Sequence, residues 1–390
     1  MRSFCFFLLT ILSCLFTMNA SALDNGLALT PPMGWNSWNK FACDVSEDLI
    51  KEIADAMVES GLRDAGYQFV VIDDCWQVAR DEDGNIIADP ERFPSGMKAL
   101  ADYVHSKGLK FGLYSDAGRR TCQGRPGSRG YEFQDARQYA EWGVDYLKYD
   151  WCNHGKQNSE ASYALMRDAL KICGRPIVYS ICEWGSTKPW LWAQDVGNLW
   201  RTTGDIQDCW DCKRDWGGMG WTHILDLQDG LEVYAGPGRW NDPDMLEVGN
   251  GGMTIAEYRA HFSLWCILAA PLMAGNDIRN MSPDIKNILT NKEVIAVDQD
   301  SLGMQGTRVR DDGQREIWAK QLRDGSRAVC LFNRSQKTTD ITLNWTDIGY
   351  PAHLKATVRD LWQHKNVGEF TGRYTAAVPS HDVVMVKLMP

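Results

Sequence analysis

Short apolar runs alternate with amphipathic segments along the first three quarters of the chain. The runs have the composition of buried parallel strands, and the intervening segments carry apolar residues at helical spacing. We predict eight strands, at residues 33–38, 67–73, 109–115, 145–150, 176–182, 196–202, 238–242 and 271–274. Helices are predicted at residues 48–62, 96–106, 131–142, 160–173, 224–234 and 254–268. This alternation predicts an α/β fold, the (β/α)8 or TIM barrel.

The pattern changes near residue 304. Beyond it, the chain carries little helical periodicity and consists of short β-rich segments separated by turn residues. We predict strands at residues 316–321, 327–333, 338–343, 355–360 and 383–388. Such a pattern is typical of an antiparallel β-sandwich. The expected organisation is therefore a catalytic barrel over residues 23–303 and a C-terminal antiparallel β-sandwich domain over residues 304–390.

The first residues resemble an export signal. Met1 and Arg2 precede an apolar run over residues 4–16, and Ala20-Ser21-Ala22 follows. This pattern predicts a signal peptide over residues 1–22 and a secreted or periplasmic protein, because the run is too short to span a membrane. An alternative interpretation makes Cys14 the acylated cysteine of a lipoprotein. The apolar run continues past Cys14, which favours the signal peptide.

Charge and aromatic content narrow the class of ligand. The net charge is −10 and no block of Lys and Arg is evident, which argues against a nucleic-acid surface. The chain contains 17 Trp. Indole faces stack on the C–H faces of sugars and indole N–H groups donate to hydroxyls, although many of these Trp belong to the core. The composition favours a neutral or small ligand.

The cysteines favour disulfides over a metal site. Of the 12 cysteines, ten lie beyond Cys5 and Cys14, and export makes disulfides plausible among them. Cys209 and Cys212 have the spacing of one of the two ligand pairs in a common zinc site. No second pair and no nearby His completes four ligands.

Acidic residues follow several of the predicted strands, where a barrel places its chemistry. In the strand that ends at Asp150, Lys148 and Asp150 point to one side, and Tyr149 points away. A nearby ammonium group keeps a carboxylate ionised, as the nucleophile of a retaining glycosidase requires. The alternative is a structural Lys–Asp ion pair. Asp205, four residues after Arg201, is the candidate proton donor, and its alternative role is a helix N-cap.

Two further acids, Asp73 and Asp74, follow the second predicted strand. They cannot both point inward from a regular strand. We expect one of them to accept hydrogen bonds from sugar hydroxyls and the other to support it from behind. A divalent metal is the alternative, but no carboxylate-rich loop completes such a site. Retaining glycoside hydrolysis by a nucleophile and a proton donor needs neither a metal nor another cofactor.

Seven motifs then identify a specific resemblance. They are Met33-Gly34-Trp35-Asn36-Ser37-Trp38, Ile72-Asp73-Asp74-Cys75-Trp76, Tyr114-Ser115-Asp116-Ala117-Gly118, Leu147-Lys148-Tyr149-Asp150, Cys182-Glu183-Trp184, Trp200-Arg201-Thr202-Thr203-Gly204-Asp205 and Trp240-Asn241-Asp242-Pro243-Asp244-Met245-Leu246. In this order they closely resemble the melibiase-type α-galactosidases, glycoside hydrolase family 27. The resemblance implies a barrel followed by a β-sandwich, and retaining hydrolysis of terminal α-D-galactosides in galactose-containing oligosaccharides or polysaccharides.

The resemblance also assigns residues. It implies that Asp150 is the nucleophile and Asp205 the acid/base. The substrate-binding set that it implies is Trp38, Asp73, Asp74, Tyr114, Cys122, Lys148, Cys152, Glu183, Trp184, Arg201 and Asp244. Asp73 and Asp74 would take the hydroxyls that distinguish galactose, and Lys148 would donate to a neighbouring hydroxyl. Disulfides Cys43–Cys75 and Cys122–Cys152 are implied, the second beside the pocket.

Substrate choice stays open in part. Relatives that accept N-acetylgalactosamine carry small residues in place of Glu183 and Trp184, so Glu183 favours a plain hydroxyl at C2. A preference for β-L-arabinopyranosides and a catalytically inactive galactose-binding protein remain alternatives. Two features depart from the family pattern. Cys182 lacks its usual partner and is expected to be a free buried thiol, and the Trp-rich segment 209–221 is a candidate for shaping leaving-group sites. The oligomeric state is not predicted.

Overall fold

Eight parallel strands of one curled sheet form the first domain of the computed structural model, which describes residue 23 and residues 25–390. The predicted signal peptide and the alternative at Cys14 lie outside the described residues. The strands β1–β8 are Met33–Asn36, Phe69–Ile72, Lys110–Asp116, Tyr146–Asp150, Val178–Ile181, Leu199–Arg201, Trp240–Asp242 and Leu272–Ala274. The helices α1–α10 are Trp38–Phe41, Glu47–Glu59, Leu62–Ala65, Gly96–Ser106, Glu132–Trp142, Ser159–Ile172, Trp221–Asp226, Ile255–Leu268, Pro283–Leu289 and Lys292–Asp298.

The sheet closes on itself. Its strand order is β7-β6-β5-β4-β3-β2-β1-β8. β8 pairs with β1, with Met33 opposite Leu272, and on its other side Ala274 bridges Leu246, just beyond β7. All eight predicted strands are present, and the predicted barrel is confirmed.

Some connections differ from the predictions. The helix predicted over residues 224–234 is wrong, because α7 ends at Asp226 and only a 3-10 turn, Glu232–Tyr234, follows. Gly230 lies between them with a φ of +86°, a left-handed conformation that ends helical structure. Helices α9 and α10 were not predicted. Their N-termini are capped by Ser282, which accepts from the Ile285 N–H, and by Asn291.

The second domain contains two antiparallel layers. Its strands β9–β16 are Thr307–Asp311, Arg315–Gln321, Arg327–Asn333, Thr339–Asn344, Lys355–Asp360, Lys365–Thr371, Arg373–Val378 and Asp382–Met389. One sheet has the order β9-β10-β11-β16-β13-β14, and β12 pairs with β15. An apolar core lies between them, including Ile317, Leu331, Leu343, Trp345 and Val386. The predicted β-sandwich is confirmed. Strands β9, β14 and β15 were not predicted because exposed polar residues interrupt their apolar pattern.

The two domains pack directly on each other. Arg259 of α8 forms an ion pair with Asp382 at the start of β16. The Trp210 ring stacks on His381, with centroids 4.2 Å apart, and also contacts Phe332. Trp210 therefore belongs to the domain interface, whereas the expectation that segment 209–221 shapes leaving-group sites stays a prediction. Trp216, in the same segment, is 64% exposed.

Membrane insertion through a helix finds no support in the described part of the chain. None of its helices combines the length and the apolar content that crossing a bilayer requires.

Candidate active site

A small cavity lies at the carboxyl ends of the barrel strands. Its lining residues are Trp38, Asn39, Asp73, Asp74, Tyr114, Cys122, Lys148, Asp150, Trp184, Arg201, Asp205 and Asp244. The barrel thus brings both predicted catalytic acids together with most of the predicted substrate-binding set. Two residues of that set do not line the cavity: Glu183 precedes the lining residue Trp184, and Cys152 is bonded to the lining residue Cys122.

Asp73 and Asp74 both face the cavity. β2 ends at Ile72, so strand alternation does not apply to the two acids, and the expectation that one lies behind the other is wrong. An Asp73 oxygen accepts from Lys148 Nζ at 2.7 Å and from Asn36 Nδ2 at 2.8 Å. These two hydrogen bonds, the one from Lys148 with a charged donor, fix the orientation of the Asp73 carboxylate.

Asp74 is held by the backbone. It accepts from the Gln123 N–H at 2.9 Å and from the Cys75 N–H at 2.7 Å. Cys75 has a φ of 81°, a strained conformation for a side-chain-bearing residue that turns the chain sharply after Asp74. Burial raises the pKa of Asp74, and the backbone donors oppose that rise.

The alternation predicted for the fourth strand is confirmed. Lys148 and Asp150 line the cavity, and Tyr149 packs on the other side against Tyr163, with ring centroids 5.8 Å apart. The closest anionic partner of Lys148 is Asp73, however. Strand alternation predicted the face of each side chain, but the ion pair joins β4 to the residue that follows β2, with β3 between the two strands.

Asp150 has the environment of a buried acid. Its Oδ1 accepts from the Trp151 N–H at 2.9 Å, which orients the carboxyl group. Burial raises its pKa, the Lys148 ammonium opposes this rise, and the negative charge of Asp205 adds to it. The Lys148 ammonium group therefore favours the ionised form of Asp150, although its direct ion pair is with Asp73.

Arg201 connects two acids on the opposite wall. Its Nη2 lies 3.1 Å from an Asp205 oxygen and 2.7 Å from an Asp244 oxygen. The Asp205 side chain is 39% exposed, and that of Asp244 is 7% exposed. The chain continues from Asp205 into the short strand Ile206–Gln207, so Asp205 is not a helix N-cap. The exposure of Asp205 suits a group that protonates a leaving group near solvent.

Asp116 is a buried acid that was not assigned from the sequence. It lies opposite Asp150 in the register of β3 and β4. Its oxygens accept from the Gly118 N–H at 2.5 Å and the Cys152 N–H at 2.8 Å. Burial and the neighbouring charge of Asp150 raise the pKa of Asp116 to about 9. The signal that points to Asp116 is its place at the end of the strand beside the nucleophile candidate.

Three disulfides join cysteines of the described residues. The pairs Cys43–Cys75 and Cys122–Cys152 implied by the resemblance are present, and a third joins Cys209 to Cys212. A Cys122 sulfur lies 3.6 Å from Asp150 Oδ2.

One potential metal-ligand group occurs among the described residues: Asp116, Cys122, Asp150 and Cys152 lie close together there. Two of its members are the disulfide-bonded cysteines, which do not offer thiolate ligands. What remains is a pair of carboxyl groups. The donor set therefore does not fit a thiolate metal site.

Cys182 and Glu183 lie behind the cavity. Cys182 is buried and, within the described part of the chain, free, as expected; its sulfur lies 3.7 Å from Arg201 Nη1. Glu183 Oε2 accepts from the backbone N–H and the hydroxyl of Thr187 at 2.7 and 2.9 Å. Burial raises the pKa of Glu183 to about 7. Trp184, with a φ of 58°, lines the cavity in front of them.

Comparison with known proteins agrees with this geometry. Residues 30–300 match the family described as alpha galactosidase A, and residues 312–388 match the alpha galactosidase C-terminal beta sandwich domain. The chain belongs to the α-galactosidases of glycoside hydrolase family 27. The resemblance found in the motifs is confirmed.

Three relatives show the extent of the similarity. Alpha-galactosidase A of Cellvibrio japonicus is 53% identical over 377 residues, which cover 93% of each chain. The crystal structure of alpha-galactosidase I from Mortierella vinacea superposes with a TM-score of 0.92 at 41% identity, covering 94% of this chain and 98% of that one. An alpha-N-acetylgalactosaminidase of Gallus gallus is 42% identical and covers 94% of this chain and 95% of its own length.

Proposed function

We propose that this chain is a retaining exo-glycosidase that removes terminal α-D-galactosyl residues from oligosaccharides or polysaccharides. The observation that supports it most is the meeting of Asp150 and Asp205 in one small cavity that also holds Asp73, Asp74 and Lys148. A cavity of this kind accepts the end of a sugar chain rather than an internal segment. Family membership supports the same reaction.

The reaction runs in two displacements. In the first, an Asp150 oxygen attacks the anomeric carbon, and the bond to the leaving oxygen breaks as Asp205 transfers its proton to that oxygen. The product is a covalent β-galactosyl ester of Asp150. In the second, Asp205 takes a proton from water, the water oxygen attacks the same carbon, and Asp150 is released. Two inversions give net retention. We expect the two carboxyl groups to lie about 5–5.5 Å apart, as retaining enzymes require.

Sugar recognition rests on charged hydrogen bonds. The carboxylates of Asp73 and Asp74 face the cavity and can accept from neighbouring hydroxyl groups of a hexose. Lys148 has donor capacity beyond its bond to Asp73. The indole rings of Trp38 and Trp184 offer apolar walls for the C–H faces of the ring. Glu183, behind Trp184, supports a plain hydroxyl at C2.

The protein is also proposed to act outside the cytoplasm. Three disulfides among the described residues are the kind of cross-link that persists in oxidising compartments. The signal-like pattern of residues 1–22 supports export.

Three aryl glycosides test the proposed specificity. The kcat/KM values for p-nitrophenyl α-D-galactopyranoside, α-N-acetylgalactosaminide and β-L-arabinopyranoside are measured side by side, and proton NMR identifies the first anomer released. We expect the kcat/KM of the galactoside to exceed those of the other two substrates by ~100-fold or more, which corresponds to about 2.7 kcal/mol of transition-state discrimination. We also expect α-galactose to be the anomer released first.

Each other outcome would contradict a different part of the proposal. A better arabinoside would overturn the assignment around C5 and C6, and a better acetamido sugar would overturn the role of Glu183. Initial release of β-galactose would exclude double displacement. Galactose binding in calorimetry with no hydrolysis of any of the three would favour the inactive binding protein.

A further inference from the structure

An arginine-rich cleft lies next to the substrate cavity. Arg119, Arg120 and Arg129, from the loop that follows β3, line it together with Arg80 of the hairpin strand Gln77–Arg80. Its volume is about 460 Å³. No acidic residue lines it in the described part of the chain. In a protein with a net charge of −10, this concentration of positive charge stands apart from the rest of the chain.

The four guanidinium groups are not equivalent. Arg80 donates to both oxygens of buried Asp135, each at 2.7 Å, and its guanidinium lies 3.9 Å from the Tyr131 ring centroid. Its charge is therefore balanced. Arg119, Arg120 and Arg129 are exposed and form no ion pair with any carboxylate that the structure describes. Three cationic groups thus face the cleft without a protein anion.

The nearest acids in sequence to Arg80 do not compensate these charges. Asp81 accepts from the backbone N–H groups of Asp83 and Asn85, at 3.0 and 2.7 Å, within its own turn. Glu82 and Asp83 are exposed on the same turn and do not line the cleft. The lining of the cleft therefore contains arginines and no carboxylate among the described residues.

The loop places this cleft beside the galactosyl site. Arg120 bridges Pro126, which folds residues 120–126 into a tight hairpin. Cys122, near its tip, lines the substrate cavity, and the Gln123 N–H binds Asp74. Arg120 is two residues from Cys122, so the Cα atoms of these two lining residues lie at most about 7 Å apart.

We infer that this cleft binds an anionic group, a sulfate ester or a uronate carboxylate, on the sugar chain next to the galactosyl residue. Guanidinium groups bind both anions through paired, charge-assisted hydrogen bonds. The inference rests on the proposed function, since it makes the cleft a site for the remainder of the substrate. It changes the expectation of a purely neutral ligand, which came from the overall charge.

Matched substrates and matched variants test the inference. The substrates are a neutral α-galactosyl disaccharide, the same disaccharide with a sulfate ester on its reducing sugar, and the same disaccharide with a uronate there. The cleft variant combines Arg119→Gln, Arg120→Gln and Arg129→Gln. The control combines Arg315→Gln, Arg323→Gln and Arg373→Gln, which removes the same charge from exposed positions of the second domain.

We expect wild type to prefer at least one anionic disaccharide by about tenfold in kcat/KM at low salt, or about 1.4 kcal/mol. Added NaCl should weaken this preference by screening. The cleft variant should lose the preference and keep wild-type activity on the neutral disaccharide, and the control should retain both. A preference for the sulfated substrate alone, the uronate alone or both assigns the anion.

Other results would overturn the inference. Equal kcat/KM values of wild type for the neutral and both anionic disaccharides would do so, as would a preference that persists in the cleft variant or vanishes equally in the control. If wild type hydrolyses none of the disaccharides, the proposed function fails instead. Calorimetric titration with the three disaccharides then tests anion binding in the cleft separately from hydrolysis. Wild type must still bind an anionic disaccharide more tightly than the neutral one, and the cleft variant must not.

Discussion

The active-site cavity and the interface between the two domains both bury charged side chains, but they balance them differently. At the interface, Arg259 pairs with buried Asp382. On the sandwich face, Arg334 lies 2.7 Å from buried Glu316. In the cavity, carboxyl groups outnumber cations: Asp73, Asp74, Asp150, Asp205 and Asp244 share Lys148 and Arg201.

This difference separates stability from function. A buried charge with a protein partner holds two elements in register, and the partner's removal leaves an uncompensated charge. Burial raises the pKa values of Asp150 and Asp244, and the negative charge of Asp205 adds to both rises. Their remaining hydrogen-bonding capacity is directed at a ligand. Changes in the cavity should therefore alter the rate, and changes at the interface should alter stability.

The largest effect is expected from the two proposed catalytic acids, Asp150 and Asp205. Asp150→Gly and Asp205→Gly should each lower kcat on the galactoside, the first on the order of 10⁴-fold or more, because each removes a reacting group. Their thermal midpoints should stay near that of wild type. Added azide distinguishes the two roles. It should give β-galactosyl azide with Asp150→Gly, by attack on the face that Asp150 occupied, and α-galactosyl azide with Asp205→Gly. The opposite assignment of azide products would show that the roles are reversed.

A smaller effect, on stability alone, is expected at the interface. Arg259→Met should lower the free energy of unfolding by about 1–3 kcal/mol, because Asp382 remains buried without its cation while Arg259 itself is partly exposed. Its kcat/KM should equal that of wild type. Arg373→Met, at an exposed position of β15, is the control and should leave both unchanged. A loss of activity without a loss of stability in Arg259→Met would contradict the claim that the interface contributes to stability and not to the rate.

The remaining prediction concerns the pH dependence of stability. Burial raises the pKa of Glu183 in the folded protein from 4.5 to about 7. The stabilising effect of its neutral form is complete below about pH 4.5 and is lost as the pH rises through about 7. Wild type should therefore lose stability relative to Glu183→Gln over this range, and the difference should level off above it. Melting curves at several pH values measure this. A difference that does not change with pH would show that Glu183 has the same pKa in the folded and unfolded protein.

The barrel was predictable because its determinants are local. Each central strand is buried on both faces, so its apolar run, such as Phe69–Ile72, is visible in the sequence without knowledge of its neighbours. The same holds for the face of Lys148 and Asp150, which follows from alternation along one strand.

Features that depend on distant segments were not predictable in this way. The pairing of Lys148 with Asp73 and the closeness of Asp116 to Asp150 both require the register of different strands within the sheet. The packing of Trp210 against His381 requires the docking of the second domain. The arginine cleft likewise combines a hairpin and a loop that are some forty residues apart in the chain. Local patterns predict elements and faces, whereas partners depend on tertiary contacts.

The most direct test of Asp150 as the nucleophile is to trap the covalent intermediate. An activated α-galactoside whose fluorine substituent slows the second displacement is incubated with the enzyme, and the labelled peptide is sequenced by mass spectrometry. The mechanism predicts one galactosyl ester, on Asp150. A label on another residue, or hydrolysis with inversion and no label, would contradict it.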